Sequence, residues 1–438
     1  MSVARKPGYK ETALGWIPEN WEFTQLASIA DVNPGRTKPL SDADDVSFLS
    51  MGDVSEDGRV ISKQVRLYQD VAKGFTSFTD GDVLVAKITP CFENGKGALV
   101  NSLLGGVGFG STEFHVIRAF PDSVVPTFLH LHTRAGVFRR LGEKNMVGSA
   151  GQKRVPTGFL RQYPIALPPL LEQQKIAAIL TTVDDKLNVI ARQIEATQAL
   201  KQGLMQTLFS RGIGEQNANG SWIRHKKFKD SELGTVPTLW SVKEIGEALS
   251  VVERPIKMAD DQLYRRVTVR RRHGGIDLRD ELPGAGIKVK NQYLLEAGDF
   301  LISERQIVHG ACGIVPEHLA GALVSNEYLV LQAREGFDVN FFNYLVQLLK
   351  YAKLFLVCSQ GVDIEKFLFK SKDWLKKRIP VPPLAEQQRI TEILATIEEK
   401  TNALQMKQSE YHTLKRGLMQ KLLTGEWRVK LDNSAGTA

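Results

Sequence analysis

The chain contains two copies of one long segment. Residues 165–208 begin IALPPLLEQQKIAAIL and end LKQGLMQTL, and residues 379–422 begin IPVPPLAEQQRITEIL and end LKRGLMQKL. Glu172 aligns with Glu386 and Gly203 with Gly417, both at an offset of 214 residues (386 − 172 and 417 − 203), so no gap opens between them. A repeat of this length predicts a molecule built from two copies of one unit, which acts at two related places.

A weaker repeat precedes each copy. Residues 14–21 and 233–240 both read L-G-x-x-P-x-x-W, and the motif G-D-[VF]-L-[VI] occurs at Gly81–Val85 and Gly298–Ile302. The offset drifts in these parts, as expected where loops of one scaffold vary in length. We therefore divide the chain into a first variable domain (1–165), a constant segment (166–222), a second variable domain (223–378) and a second constant segment with the C-terminal tail (379–438).

Composition is that of an ordinary globular protein. The chain has 438 residues, 42% of them hydrophobic, and no unbroken apolar run long enough to span a bilayer. The amino-terminal residues lack the apolar core of a secretory signal, and Cys91, Cys312 and Cys358 form no C-x-x-C pair. We predict a cytoplasmic protein with reduced thiols, without a zinc ribbon, a disulfide framework or a membrane segment.

The net charge of +8 is concentrated in the variable domains. Basic minus acidic residues give +2 for residues 1–165 (19 − 17) and +5 for 223–378 (25 − 20), against 0 (5 − 5) and +1 (8 − 7) for the constant segments. Two basic modules joined by near-neutral connectors fit a polyanionic partner. The excess is modest for this length, so charge alone does not identify that partner as nucleic acid.

The constant segments are predicted to form two long amphipathic helices. Each follows a Pro-Pro pair that suits a helix entry, and Glu172 and Glu386 fall in the first turn, near the positive end of the helix dipole. Apolar residues then alternate at spacings of four and three, the heptad pattern, although Lys415 interrupts the second stripe. Each helix should contain about forty residues and be roughly 60 Å long.

The two helices are expected to pair in antiparallel fashion, because a compact domain between them keeps its ends close. This pairing predicts variable domains at opposite ends of one rod, related by a pseudo-two-fold axis. Asp184-Asp185 and Glu398-Glu399 are expected on the solvated side of the coil. Gly203 and Gly417 each cost about 1 kcal/mol against alanine in a helix, which indicates a close helix crossing or a kink, or alternatively a docking point for another subunit.

The variable domains are rich in short strand-like runs between turns. These runs include Val46–Leu49, Asp82–Ile88, Glu113–Ile117, Asp299–Ile302 and Tyr328–Gln332. Helical stretches follow near Thr127–Arg140 and Phe337–Phe355. We predict an α+β chain in which each variable domain has a mainly antiparallel, curved sheet.

No catalytic motif is evident in the sequence. It contains no G-x-x-x-x-G-K-[ST] phosphate loop, no N-P-P-[YF] turn of amino-methyltransferases and no H-E-x-x-H zinc motif. His130 and His132 lack the spacing of metal ligands and are interpreted as surface or core residues. We expect no catalytic residue, metal or cofactor on this chain.

The P-P-L-x-E-Q-Q-x-I and L-K-x-G-L-M-Q motifs, with the L-G-x-x-P-x-x-W openings and the G-D motifs, resemble the specificity subunit of type I restriction-modification enzymes. The resemblance covers essentially the whole chain. It implies that the variable domains are target recognition domains for double-stranded DNA, and that the constant helices form a spacer coil. Each domain would read one half of a bipartite, asymmetric site, and the coil would set the length of an unread spacer.

The same resemblance implies partner subunits that carry the chemistry. Two methyltransferase subunits would dock on the constant helices and recruit restriction and translocase subunits, with S-adenosylmethionine, ATP and Mg on those partners. The residues expected to serve the coil and this docking are Glu172, Gln173, Gln174, Gly203, Met205, Glu386, Gln387, Gln388, Gly417 and Met419.

The candidate DNA-binding residues are basic or polar side chains in the variable domains, each with a surface salt bridge as the alternative. They are Lys87, Gln152, Lys153, Arg154, Arg265, Arg266, Arg270, Arg271, Arg272 and Arg305. Lys87 and Arg305 follow the two G-D motifs at nearly equivalent places. Gln152–Arg154 follow Ser149-Ala150-Gly151, whereas the corresponding loop of the second copy continues Val362-Asp363, which leaves its role there open.

Two other functions remain open at this point. A fused restriction-methylation enzyme would need a methyl-donor loop and an N-P-P-[YF] turn, and neither is visible. A structural coiled-coil adaptor without a role on DNA would leave two divergent, basic, strand-rich domains unexplained.

Overall fold

A computed structural model gives the fold of residues 6–36, 38–149, 151–232, 234–361 and 367–431. Leu233 of the second opening motif, Ala150, and the Val362-Asp363 pair lie outside the described residues. The chain divides into two compact units. Unit 1 comprises residues 1–191 and 406–438, and unit 2 comprises residues 192–405, so each combines one variable domain with parts of both constant segments.

Unit 1 holds short strands and helices, followed by the start of a long helix. The strands are β1 (Tyr9–Thr12), β2 (Gly15–Pro18), β3 (Glu22–Gln25), β4 (Ala30–Val32), β5 (Asp45–Leu49), β6 (Gln64–Leu67), β7 (Thr76–Thr79), β8 (Val83–Ala86), β9 (Gly97–Leu99), β10 (Val107–Gly110), β11 (Phe114–Ala119) and β12 (Pro164–Leu167). The helices are α1 (Leu26–Ile29), α2 (Tyr68–Val71), α3 (Pro126–Arg134), α4 (Gly136–Lys144), α5 (Thr157–Gln162) and the long α6 (Leu170–Arg211).

Two sheets form the first variable domain. One has the antiparallel order β4-β11-β8-β9, and the other has the order β6-β5-β10-β7, in which β5 and β10 run parallel. All four side chains of β8 are buried, as its apolar run indicates. Trp21, Phe92, Phe128 and Phe138 lie in the core, which continues onto α6 through buried Ile176.

Unit 2 repeats this arrangement and ends in the second long helix. The strands are β13 (Glu215–Gln216), β14 (Trp222–Ile223), β15 (Phe228–Ser231), β16 (Gly234–Pro237), β17 (Ser241–Glu244), β18 (Leu249–Val251), β19 (Pro255–Ile256), β20 (Leu263–Val269), β21 (Ile276–Pro283), β22 (Gln292–Leu294), β23 (Phe300–Ser303), β24 (Cys312–Ile314), β25 (Leu323–Ser325), β26 (Tyr328–Ala333), β27 (Ser359–Gln360), β28 (Leu368–Phe369) and β29 (Arg378–Val381). The helices are α7 (Ile245–Ala248), α8 (Val339–Leu345), α9 (Leu349–Val357), α10 (Ser371–Leu375) and the long α11 (Leu384–Leu423).

The sheets of unit 2 correspond to those of unit 1 strand by strand. The order β18-β26-β23-β24 matches β4-β11-β8-β9, and β22-β25-β20-β21 matches β7-β10-β5-β6, with β20 and β25 again parallel. Unit 2 adds β19 at one edge, and its β20–β21 hairpin is longer than β5–β6. The mainly antiparallel α+β fold is confirmed, and the two variable domains differ in the lengths of their strands and loops.

The two late helical stretches are each broken in two. Ala135 has an extended backbone between α3 and α4, and Leu348 does the same between α8 and α9. At the first break the next residue is Gly136, which favours helix poorly, so the chain turns there at little cost. Both predicted helical stretches are therefore present, each as two consecutive helices.

The long helices are confirmed in length and pairing. α6 has 42 residues and α11 has 40. In unit 1, Leu180 near the start of α6 shares a core with Leu422 at the end of α11. In unit 2, Leu208 at the end of α6 shares a core with Ile390 at the start of α11. Within each unit the two helices therefore run antiparallel.

Candidate nucleic-acid interface and helix junctions

The repeated glutamate of the E-Q-Q motif is buried where each long helix begins. In unit 2, Glu386 is 1% exposed and accepts hydrogen bonds from Trp240 Nε1 (2.8 Å) and from the backbone N–H groups of Ile213 (2.7 Å) and Gly214 (3.0 Å). His225 Nε2 donates to the same carboxylate at 3.0 Å. The carboxylate thus ties the start of α11 to the opening motif of the variable domain and to the chain that follows α6.

Glu172 repeats this junction in unit 1, with an arginine where unit 2 has His225. Trp21 Nε1 donates to its carboxylate at 3.1 Å, and the Arg428 guanidinium donates through Nε (2.8 Å) and Nη2 (2.9 Å). Arg428 follows the end of α11, as His225 follows the end of α6. The tryptophan and glutamate are common to both copies, whereas the third side chain, His225 or Arg428, comes from the segment that follows the other long helix.

A glycine follows each long helix at the junction. Gly212 and Gly425 have φ values of 67° and 70°, in the left-handed region that favours glycine. A Cβ on Gly212 would lie 2.3 Å from a Glu386 carboxylate oxygen, and one on Gly425 would lie 2.4 Å from Pro18. Both the turn and the close approach therefore require glycine.

The glutamine after each glutamate joins the helix start to the variable domain. Gln173 Oε1 accepts from the Val125 backbone N–H at 2.8 Å, and its Nε2 donates to the Pro168 carbonyl at 2.9 Å. Gln387 makes the corresponding two contacts in unit 2, both at 2.8 Å. Glu172, Gln173, Glu386 and Gln387 are all buried, so the contacts that the structure shows for them are internal to their units.

Of the other residues predicted to serve the coil and subunit docking, some are exposed and some are buried. The exposed ones are Gln174, Gln388, Gly203 and Gly417. Met205 is buried in the core of unit 2, and Met419 packs half-buried against the core of unit 1. Among the described residues, nothing lies within 4 Å of a Cβ placed on Gly203 or Gly417. The prediction of a close helix crossing at these glycines is therefore wrong, because both lie on the open side of their helices.

The prediction of solvated acids agrees with Asp185 and Glu399, which are exposed. It is wrong for Asp184 and Glu398, which are 30% and 40% exposed and contact the other long helix. Asp184 on α6 binds the ammonium group of Lys415 on α11, and Glu398 on α11 accepts from Lys201 Nζ on α6 at 2.5 Å. Burial lowers the pKa of the Lys415 ammonium group, Arg134 lowers it further and Asp184 opposes both effects. The lysine that interrupts the second heptad stripe is thus the partner of an acid on the other helix.

The repeated G-D motif is a buried ion-pair site. Asp82 accepts two hydrogen bonds from Arg118, at 2.8 and 2.7 Å, and Asp299 receives the same bidentate contact from Arg254, at 2.8 and 3.0 Å. Each aspartate also accepts a backbone N–H three residues before it. Sequence reasoning missed the arginines because Arg118 comes from β11 and Arg254 from the loop after β18, which are not equivalent in the repeat.

In unit 1, the candidate DNA-binding residues gather around Glu113. Arg154 donates to its carboxylate through Nε (3.0 Å) and Nη2 (2.8 Å), and this contact is the main reason why the pKa of Glu113 is lowered. Burial lowers the pKa of Lys87, with Glu113 opposing and Arg154 adding to the shift. Gln152 and Lys153 are exposed beside Arg154. Lys153 is therefore the exposed cation of this loop, and Arg154 is held by an acid.

In unit 2, three candidate arginines have partners within the domain. Arg265 donates to two backbone carbonyls, at 2.8 and 2.7 Å, and Arg266 makes a bidentate contact with Asp280, with both distances 2.8 Å. Arg305 donates to Glu327 at 2.7 Å, although both side chains are more than half exposed. These contacts agree with the salt-bridge alternative for Arg266 and Arg305.

Lys87 and Arg305 do not occupy equivalent positions, because Arg305 lies one residue further along its copy of the repeat than Lys87 does. The Lys87 backbone N–H donates to the Glu113 carbonyl at 2.9 Å, and the Glu304 backbone N–H donates to the Glu327 carbonyl at 3.1 Å. Glu304 is therefore the counterpart of Lys87, and Arg305 follows it. Even so, both copies place a guanidinium on the repeated glutamate, from Arg154 in unit 1 and from Arg305 in unit 2.

The tight turn between β20 and β21 contains Arg270, Arg271 and Arg272, the densest run of basic residues in the chain. Arg272 and His273 have φ values of 58° and 54°, and the Gly274 N–H donates to the Arg271 carbonyl at 3.2 Å. Non-glycine residues rarely adopt this geometry, so the turn is strained unless neighbours hold it. Backbone N–H groups of Arg272 and His273 donate to carbonyls of residues 309 and 310, at 2.7 and 2.8 Å, and fix it in place.

The arginines of this tip differ in their partners. Arg270 forms an ion pair with Asp277, and Arg271 and Arg272 line a cleft beside Phe355. Within the described part of the chain, the guanidinium of Arg272 has no carboxylate at ion-pair distance. Arg272 is also exposed, so it is the member of the predicted set best placed to meet an external anion.

A second basic cleft of unit 2 escaped sequence reasoning. It is lined by Arg266, Arg279, Lys288, Gln292 and Tyr328. Arg279 and Lys288 are exposed and come from β21 and from the loop before β22, so the sequence shows no cluster. The cleft combines exposed cations with an aromatic ring, groups that contact phosphates and bases, and it also contains the carboxylate of Glu327.

His130 and His132 are core residues of unit 1. Over the described residues, no group of histidine, cysteine, aspartate and glutamate side chains could hold a metal ion. Burial raises the pKa of the Cys312 thiol to about 12. In the same part of the chain, no helix is both long enough and apolar enough to cross a membrane.

Known proteins resemble the chain over both repeats. The family model of the type I restriction modification DNA specificity domain matches residues 18–198 and 239–410. The type I restriction enzyme EcoAI specificity subunit of Escherichia coli is 35% identical over 241 residues, which cover 54% of this chain and 41% of that protein. The chain thus spans about two fifths of the length of this relative in the matched region.

Other relatives match over nearly the full length. The putative type I restriction enzyme MjaX specificity subunit of Methanocaldococcus jannaschii is 25% identical over 446 residues, which cover 97% of this chain and 98% of that protein. The crystal structure of the type I restriction-modification system S subunit from M. genitalium has a TM-score of 0.55 at 15% identity, covering 96% of this chain and 99% of that one. At that identity the structural likeness concerns the fold.

Proposed function

This chain belongs to the type I restriction modification DNA specificity family, and from that premise we propose that it selects the DNA target of a type I restriction-modification enzyme. The repeat of one scaffold with two different basic surfaces supports the proposal most directly. Both units keep the tryptophan–glutamate junction and the buried aspartate–arginine pair, while their basic loops differ. Two recognition domains with different surfaces recognise two different half-sites, so the target is bipartite and asymmetric.

Within each domain, cations would hold phosphates and polar side chains would read base edges in the major groove. In unit 2, Arg272 and the cleft with Arg279 and Lys288 have the exposure and the charge for this role. In unit 1, Lys153 and Gln152 are the exposed candidates. A helix of about forty residues is roughly 60 Å long, more than one DNA turn of about 34–36 Å, so the half-sites would flank an unread spacer.

The chemistry of methylation and cleavage lies on other subunits in this proposal. Two methyltransferase subunits dock on the constant helices, for which exposed Gln174, Gln388, Gly203 and Gly417 are candidate contacts. They recruit the restriction and translocase subunits, and S-adenosylmethionine, ATP and Mg bind those partners. The complex works in the cytoplasm, where its DNA is.

Methylation-aware sequencing of host DNA tests the proposed function. The gene for this chain is deleted while its methyltransferase partner remains expressed. We expect a bipartite, asymmetric motif carrying N6-methyladenine to disappear on deletion and to return on complementation. An unchanged methylome with an active partner would contradict the proposal and favour the structural adaptor. A fused enzyme would instead bind a methyl donor on the isolated chain, which equilibrium dialysis with labelled S-adenosylmethionine would detect.

Replacing Arg272 with alanine should weaken DNA binding uniformly across sequences. Removing one phosphate contact is expected to lower affinity by about three- to tenfold at moderate salt and to reduce the slope of log affinity against log salt by about 1. Fluorescence anisotropy over a salt series measures both. Arg389→Ala is the matched control, because Arg389 lies on α11 and pairs with Glu392. Equal salt slopes for the parent and Arg272→Ala would remove Arg272 from the interface.

A further inference from the structure

Two lysine–acid pairs join the long helices at symmetric positions. Lys415 pairs with Asp184 in unit 1, and Lys201 pairs with Glu398 in unit 2. The acids are 214 residues apart (398 − 184), and so are the lysines (415 − 201), which is the offset of the constant repeat. The lysine side chains are 7% and 22% exposed. The repeat has therefore kept one ion pair at the helix seam of each unit.

Each acid also binds a helix of its own variable domain. Arg134 at the end of α3 donates to Asp184 at 3.2 Å, and the Tyr344 hydroxyl on α8 donates to Glu398 at 2.7 Å. The acid is thus a point where three elements meet: one long helix, the other long helix and the recognition domain. A shift of the helices past one another would break the contact with the domain as well.

The sequence offers these lysines no second acid at neighbouring heptad positions. If α6 and α11 slipped by one heptad, Lys415 would face Ala177 or Ala191 in place of Asp184. Lys201 would face Thr391 or Gln405 in place of Glu398. The apolar stripes tolerate such a slip because they repeat every seven residues, whereas the lysines do not. Only the observed alignment satisfies both charges.

We propose that Asp184–Lys415 and Lys201–Glu398 are positioning residues that fix the register of the long helices and, through Arg134 and Tyr344, the place of each recognition domain along them. The acids are 30% and 40% exposed, so these ion pairs contribute little net stability. An alignment that leaves the buried Lys415 ammonium group unpaired is nevertheless penalised. A polar residue at a helix seam sets register in this way. Resting on the proposed function, the consequence is that these pairs set the length of the unread DNA spacer.

The register can be measured without DNA by cross-linking in unit 2. Leu204 lies three residues after Lys201 on α6 and Ala395 three residues before Glu398 on α11, so antiparallel helices place them side by side. In the full chain, Leu204→Cys with Ala395→Cys reports the observed register to a short bis-maleimide. Leu204→Cys with Asn402→Cys, one heptad away, reports the slipped register. The chain with its three natural cysteines alone gives the background.

Replacing the charged pairs with apolar residues distinguishes their effect on the register of the long helices from their effect on the stability of the chain. In each reporter chain, Lys201→Met, Glu398→Leu, Lys415→Met and Asp184→Leu are combined with Arg134→Met, because Arg134 is 16% exposed and would otherwise lose its acid. The combination removes both charge pairs without burying an unpaired charge. We expect the chain to fold while the ratio of in-register to slipped cross-links falls about tenfold, a size typical of coupled charged contacts. An unchanged ratio in the folded apolar chain would overturn the proposal.

A charge exchange gives the complementary test. Lys201→Glu alone places two carboxylates together and should lower the ratio, whereas Lys201→Glu with Glu398→Lys should restore it, since the Tyr344 hydroxyl can accept as well as donate. An exchanged pair that behaves like the single reversal would also overturn the proposal.

Spacer selectivity is then compared on targets with the cognate spacer and spacers one base pair longer or shorter. Failure of the parent chain to bind any bipartite target would contradict the proposed function and leave the cross-link result standing.

Discussion

Replacing Glu386 with alanine is expected to lower the free energy of unfolding of unit 2 by about 3–5 kcal/mol, because several buried hydrogen-bond donors lose their acceptor. The substitution leaves Trp240 Nε1 and the backbone N–H groups of Ile213 and Gly214 without their acceptor, and it leaves His225 without its carboxylate. Each buried donor left unsatisfied costs about 1–3 kcal/mol. Because the carboxylate joins α11 to the chain after α6, its loss should also loosen that connection.

Urea unfolding followed by tryptophan fluorescence measures this effect, since Trp240 contacts the carboxylate directly. Glu399→Ala is the matched control, because Glu399 is exposed on the same helix. Glu386→Gln should give an intermediate loss, since one amide oxygen still accepts from the backbone. Glu172→Ala should produce a similar loss confined to unit 1, where Trp21 and Arg428 lose their partner. A Glu386→Ala chain within about 1 kcal/mol of Glu399→Ala would show that the junction is not a stabilising centre.

The long helices could be predicted from the sequence because their signals are local. The Pro-Pro pair, the acidic first turn and the heptad spacing all act within one segment, and α6 and α11 begin within two residues of Pro168-Pro169 and Pro382-Pro383. The sheets were predicted at the level of individual runs for the same reason. Their order, with one parallel pair in each domain, depends on contacts between distant strands and was not predictable from those runs.

The junctions could not be predicted from local signals. Trp21 and Glu172 are 151 residues apart, and the sequence places Glu172 only in a helix first turn. One signal was nevertheless available, because the tryptophan and the glutamate belong to motifs that repeat together. Lys415 also belongs to a repeated motif, at the position of Lys201, and both lysines pair with an acid of the facing helix. Two motifs that occur together in both copies therefore indicate a tertiary contact that neither motif indicates alone.

The candidate DNA-binding residues were the least predictable part. A run of basic residues in the sequence does not show which of their side chains form ion pairs in the fold. Arg154, Arg266 and Arg270 each pair with an acid. The cleft with Arg279 and Lys288 shows the converse, since its cations are separated in sequence and meet only in the folded sheet. Charge in the sequence therefore identifies the basic domain, and the fold identifies the exposed cations within it.

Acidification is expected to destabilise unit 1 through two core histidines. Burial lowers the pKa of His130 from 6.5 to about 3 and that of His132 from 6.5 to about 4. His130 Nε2 donates to the Gly58 carbonyl at 3.0 Å, and its Nδ1 has no hydrogen-bond partner among the described residues, so a second proton would be buried without an acceptor. The folded unit therefore keeps both rings neutral under conditions where the unfolded chain protonates them.

The sign of the effect follows from these depressed pKa values. Above about pH 6.5 neither state binds the extra protons, and the stability of the folded unit is fully present. As the pH falls toward about 4, the unfolded chain gains protons that the folded unit does not, and each histidine should cost about 1.4 kcal/mol per pH unit. Burial also lowers the pKa of His273 in unit 2, so acid weakens both units in the same direction.

His132→Leu isolates the contribution of one ring. His132 is buried against Phe128, so leucine suits the site and cannot take up a proton. Unfolding between about pH 7 and about pH 5 should show a slope smaller by about 1 kcal/mol per pH unit than in the parent chain, because the unfolded ring takes up its proton only near about pH 6.5. His412→Gln, at an exposed position on α11, serves as the control and should keep the parental slope. Parallel slopes for the parent and His132→Leu would mean that the ring takes up its proton equally in both states, and acid sensitivity would then have to come from the carboxylate pairs.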